Sequence, residues 1–169
     1  MKEDIIVFCI GCGIGAIIQI LKIVKEYLNE CRLLDSMAVN DISVPDYTQA
    51  CLKWCSQELG GYIPTVKFSK AQKPKGKDSD YPIGLYDFDD EIITLFINRH
   101  DSIRQFTNTI IHEYQHHIQK INGVTSKKYS KFEYQSNPYE FECHKVADEH
   151  EFNCAIESLK AIRNNKLAA

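Results

Sequence analysis

Residues 107–121, TNTIIHEYQHHIQKI, form the stretch on which the fold turns. It contains His112-Glu113-Tyr114-Gln115-His116, the H-E-x-x-H pattern. On a helix the i, i+4 spacing puts both imidazoles on one face, one turn apart. From there two ring nitrogens can reach a single Zn²⁺ at about 2.0–2.1 Å. Glu113 directly follows the first histidine and so stands beside the metal, placed to act as general base toward a metal-activated water. A five-residue pattern can arise by chance in a chain with six histidines, so its surroundings decide how it is read.

Those surroundings favour a helix. Ile103, Phe106, Ile110, Ile111, Tyr114, Ile118 and Ile121 recur at three- and four-residue spacing. Asp101-Ser102 marks the start, Gln105 stands in a capping-box relation to Ser102, and Gly123 closes the helix. The motif therefore lies inside an amphipathic helix, the context its chemistry requires.

Working outward, residues 45–59 read as a helix with Tyr47, Ala50, Cys51, Trp54, Cys55 and Leu59 on its inner face and Gly60-Gly61 as its stop. Residues 63–69 read as a strand. Residues 83–88 and 91–98 read as a hairpin turning at Asp89-Asp90. Between them KAQKPKGKDSDYP is a turn-rich segment, read as a solvated loop rather than a phosphate or lipid site because Asp78 and Asp80 dilute its lysines. Residues 124–136 are a polar connection. Asn137-Pro138 then opens a last helix running to about residue 160, with Asn as N-cap.

The 169 residues suffice for one compact domain plus a tail, and 44% hydrophobic with 25% charged residues is ordinary for a globular protein. A net charge of −3 gives no push toward nucleic acid. Seven cysteines, an odd number without regular spacing, indicate reduced thiols in an intracellular compartment, with Cys51 and Cys55 as small buried residues. Residues 5–24, IIVFCIGCGIGAIIQILKIV, make the one long apolar run, interrupted only by Gln19 and Lys22. It is read as a membrane anchor within an N-terminal segment of residues 1–30, joined by polar residues 25–43 to a domain of residues 31–169. A competing strand–turn–helix would use Gly11-x-Gly13-x-x-Ala16, with Asp35 about 20 residues on, as a dinucleotide fingerprint. The chain lacks the repeated βα units that this needs. A signal peptide is disfavoured by the acidic Met1-Lys2-Glu3-Asp4 start.

Catalytic zinc takes three protein ligands. The extended H-E-x-x-H-x-x-G-x-x-H route is closed, because Gln119 stands at the glycine and Asn122 at the third histidine. On the last helix, Glu140 aligns with Cys143, His144, Ala147, Cys154, Ser158 and Ile162, the small and apolar face, whereas Glu142 falls with Lys145, Glu149 and Asn153 toward solvent. A carboxylate on an inward stripe needs a partner, and a metal would be one. Glu140 is thus the expected third ligand; the alternative is a capping-box role three residues after Asn137.

HEYQH followed by a helix carrying NPYEFECHKVAD resembles the gluzincins, zinc peptidases related to thermolysin, and above all their minimal single-domain and membrane-anchored intracellular forms. The resemblance spans about residues 45–160. It implies an α+β, zincin-like fold, with a small sheet packed on the motif helix and a glutamate helix behind. It also implies that the glutamate of an E-x-x-A/S-D/N segment, here Glu140, is the third ligand. Cys143 then takes the small position and His144 the Asp/Asn position, a departure that makes His144 a competing ligand. The expectation is a metallopeptidase with His112, His116 and Glu140 on Zn²⁺, Glu113 as base and a peptide or protein as substrate. Tyr129, Tyr134, Tyr139 and His150 are candidates for a second oxyanion donor. His117 is expected to be structural or exposed, and His100 has no assigned role. The alternative is a weakly active or inactive zincin-fold regulatory or binding protein.

Overall fold

The structure, a computed structural model, describes the backbone of residues 2–72 and 81–168 and the side chains of residues 19–72 and 81–164. The chain divides into two compact units, residues 1–34 and 35–169.

The first unit belongs to one helix, α1 (Lys2–Ser36). The polar connection expected after residue 24 is helical as far as Ser36, since residues 22–36 contain no glycine or proline to interrupt it. Gly11-x-Gly13-x-x-Ala16 falls inside this helix rather than at a strand–helix turn. Most of the run read as an anchor, residues 5–18, lies outside the residues whose side chains are described. Among the described residues no helix is long and apolar enough to cross a membrane.

The second unit is α+β. It comprises α2 (Val44–Glu58), β1 (Thr65–Ser69), β2 (Gly84–Asp87), β3 (Ile92–Phe96), α3 (Ile103–Ile121), a single turn α4 (Ser126–Tyr129) and α5 (Pro138–Ala168). The expected strands and helices form, with shifted ends. The sheet order is β1-β3-β2, with β3 parallel to β1 and antiparallel to β2. The hairpin turns over four residues rather than two, because the Asp87 carboxylate accepts from the Asp89 and Asp90 amides at 2.8 and 3.0 Å and Glu91 adopts φ +56°. β1 starts late because Pro64 has no N–H for the ladder and the Tyr62 carbonyl is taken by α3 side chains, Tyr114 Oη at 3.3 Å and His117 Nε2 at 3.0 Å. The lysine-rich loop lies largely at residues 73–80, outside the described residues.

The core joins Tyr47 and Leu52 of α2, Ile93 and Leu95 of β3, and Ile103, Phe106, Ile110, Ile111 and Tyr114 of α3, all fully or almost fully buried. α3 is more enclosed than an amphipathic helix: α2, α5, β2 and β3 all pack on it, so Thr107, Thr109, Gln115 and Gln119 are buried as well. Its start is capped as expected at Ser102, whose hydroxyl accepts from Gln105 N at 3.2 Å. α5 packs Cys143, Ala147, Cys154 and Ser158 inward, and Cys51 and Cys55 are buried free thiols.

Gly61 adopts φ +79°, and a Cβ there would lie 2.8 Å from Ile118 Cδ1 and 3.3 Å from the Tyr114 hydroxyl. Gly61→Ala is expected to lower unfolding free energy by at least the ~1–2 kcal/mol of left-handed strain, as read by urea denaturation.

Candidate metal centre

His112 and His116 lie on the α3 face that meets α5, 8% and 4% exposed. The first turn of α5 delivers Glu140 between them, with Oε2 at 3.2 Å from His112 Nε2 and Oε1 at 3.2 Å from His116 Nε2. The turn is anchored by Asn137, fully buried, whose Oδ1 accepts from Tyr139 N at 3.1 Å. Glu140 makes no capping-box bond; its carboxylate points across to α3. Oε1 also accepts from the Tyr129 hydroxyl, carried on α4. Oε2 lies in ion-pair range of His112 but, although buried, makes no hydrogen bond.

Other donors crowd the same spot. His144 is exposed, with its ring 4.6 Å from that of His112. Cys143 is fully buried, with Sγ 3.3 Å from His116 Nδ1. Two triplets of potential ligand atoms lie within 4.8 Å of one another, His112–His116–Cys143 and His112–Glu140–His144. Bonds of about 2.0–2.1 Å in a tetrahedron set ligand atoms about 3.3 Å apart; Glu140 comes that close to each imidazole through a different oxygen, Oε2 to His112 and Oε1 to His116. With the orphaned Oε2, this makes a buried His/His/Glu/Cys cluster that could hold a metal ion. Glu140 and His144 both stay within reach as the third ligand.

The electrostatics follow from burial and sharing. Burial works against the Glu140 carboxylate, but His112, His116 and the Tyr129 hydroxyl outweigh it and hold the group far below the usual carboxylate range. Burial lowers His112. Burial also pulls His116 down, yet Glu140 and Glu113 overcome it and raise that imidazole. Desolvation pushes the Glu113 carboxyl up to about 7.

Glu113 meets the sheet where β2 passes at Gly84. A Cβ on Gly84 would come within 2.6 Å of both Glu113 Oε1 and Thr109 Cγ2, so only glycine lets the strand approach. Of the remaining candidates, Tyr129 reaches the cluster, and Tyr134 is close enough for Glu140 to raise its phenol further after burial. Tyr139 stacks on Tyr129 at 6.4 Å. His150 instead faces Trp54 at 5.7 Å, with α2. His117 is structural: fully buried, it is held by the Tyr62 carbonyl and by the Tyr86 hydroxyl at 3.0 Å. His100 bridges β3 and α3 through Phe96 O and Thr109 Oγ1. Sequence reasoning missed Gly84, for which a lone strand glycine was the only signal. It also missed Gln119, although the i, i+3 spacing from His116 could have pointed to it.

Gly84→Ala is expected to displace the Glu113 carboxylate and cost about 1–3 kcal/mol by overpacking, checked by thermal unfolding beside a Leu85→Ala control on the exposed face. In comparisons with known proteins, no family model, curated protein or solved structure matches this chain.

Proposed function

We propose that this protein is a zinc metallopeptidase of the zincin type, in which His112, His116 and Glu140 hold Zn²⁺ and Glu113 is the general base. The observation that supports the reading is one buried carboxylate with an oxygen 3.2 Å from each imidazole of an H-E-x-x-H helix, and with Oε2 left without a hydrogen bond. Bound Zn²⁺ would supply Lewis acidity, acidifying water and polarising a peptide carbonyl.

The chain's own groups account for the remainder. The Glu113 carboxylate, shielded from solvent and pushed up to about 7 by burial, takes a proton from the attacking water and delivers it to the leaving amide nitrogen. A group poised near neutrality can do both. The Tyr129 hydroxyl donates its one hydrogen to Glu140 Oε1 and so orients the carboxylate that would hold the metal.

Substrate positioning is supported by β2, an edge strand of the sheet. Phe96 N donates to Ile83 O at 3.1 Å, so antiparallel alternation turns the N–H and C=O of Gly84 and Tyr86 to the free edge. An extended peptide added there would pass over Glu113, which suits a peptide or protein substrate.

Elemental analysis of the purified full chain should give one zinc per chain, lost in His112→Ala. Glu113→Gln should keep the zinc while peptide hydrolysis falls by about 10²–10⁴-fold. A wild-type chain that takes up no zinc would overturn the proposal. Full zinc occupancy without peptide hydrolysis would point instead to a zincin-fold binding protein.

A further inference from the structure

The two ring nitrogens of His116 have different surroundings. Nε2 faces Glu140, and Nδ1 lies 3.0 Å from Gln119 Oε1. Which end of the Gln119 amide meets the ring is decided by its other contacts. Its Nε2 donates to Glu142 Oε2 at 2.8 Å and to the Tyr139 carbonyl at 2.9 Å. Those two acceptors use both amide hydrogens, so the oxygen is left for the imidazole. An amide oxygen can only accept. His116 must therefore carry a proton on Nδ1, so Nε2 is the nitrogen that meets Glu140 and that would turn to a metal on giving up its own proton. Gln119 is 3% exposed, so a flipped amide would bury one N–H against another with no water to relieve it.

Glu142 does more than hold one amide. Its other oxygen accepts from Gln115 Nε2 at 3.3 Å, so a single carboxylate at the start of α5 fastens two glutamines one turn apart on α3. Cys143 Sγ, also near Nδ1, is the weaker acceptor of the two.

We propose that Gln119 and Glu142 form a relay that sets the tautomer and orientation of His116 for metal binding. Both are positioning residues: they act through His116 rather than at the reacting atoms. The inference deepens the zinc reading and rests on it only where zinc is measured. It assigns a role to the glutamine that blocks the extended histidine motif, and to a glutamate that helical periodicity places toward solvent. Gln119 and the two histidines share one helix, while Glu142 and Glu140 share the facing one. The relay therefore locks the same pair of elements that the cluster joins.

The test uses the full chain, zinc competition against a chelator, and the ¹⁵N side-chain shifts of His116 in metal-free protein in alkaline buffer. Gln119→Leu should weaken zinc binding by about 10–100-fold and move His116 away from the Nδ1–H tautomer. Gln119→Glu alone sets two carboxylates against each other and should weaken binding too. Combined with Glu142→Gln it should recover part of that loss, because the new carboxylate accepts from the ring and the new amide donates to it, while the Tyr139 carbonyl still lacks the donor that Gln119 gave it. A purely structural role would give no such rescue. Unchanged affinity and tautomer in Gln119→Leu, or no rescue in the double variant, overturns the relay and leaves the zinc reading standing. If wild type takes up no zinc, the zinc reading fails by itself. The metal-free tautomer then still decides the relay: a shift in Gln119→Leu supports it, and no shift sinks it. Should Gln119→Leu fail to fold, the volume-conserving double variant carries the decision.

Discussion

The constraint on which the second unit depends is the carboxylate of Glu140, buried between two helices. Removing a charged group from water costs several kcal/mol unless partners replace the solvent. Here the partners come from two other elements: His112 and His116 on α3, and Tyr129 on α4. None is adjacent in sequence to Glu140 on α5. The packing of α5 on α3 therefore has one register that satisfies the charge, and sliding by a turn would strand it. The supply remains one contact short, because Oε2 has no hydrogen bond. A cluster that is compact, acidic at its centre and incomplete is suited to a cation.

A second constraint comes from enclosure of α3 on every side. Polar residues at its centre have no water to turn to, so each is answered by a neighbour. Thr107 Oγ1 meets the Tyr47 hydroxyl at 2.6 Å, and Thr109 meets His100. His117 is held from the sheet side by Tyr86 and Tyr62. The histidines thus divide by the face they occupy. Those toward the sheet are saturated by protein hydrogen bonds and hold the strands in place. Those toward α5 share one carboxylate and keep a nitrogen available. Gly84 belongs to the same logic, since its missing side chain is the space that Glu113 occupies.

Helix and strand identities were legible because they rest on local physics. The period of Ile103 to Tyr114, the Ser102 cap, the stop at Gly123 and the Asn137-Pro138 start each act within a few residues. The inward direction of Glu140 followed from its 100° stagger with Cys143 and Ala147. The same stagger correctly set Glu142 outward, yet could not show that Gln115 and Gln119 reach out to meet it. The polar connection of residues 124–136 looked featureless because its one-turn helix has no periodicity to detect, although it brings Tyr129 to the cluster.

What the sequence by itself determined is the α+β set of elements, the face shared by His112 and His116, and the placement of Glu140 on a facing stripe. These depend on spacing along one chain segment, which geometry converts directly into direction. What only the tertiary structure decided is which groups meet. It brought Glu140 onto both imidazoles, sent His150 to Trp54, gave Gln119 to His116 Nδ1 and pressed Gly84 against Glu113. Those contacts join residues far apart in sequence, and their selection depends on satisfying buried polar groups across packed elements, a condition that no single segment contains.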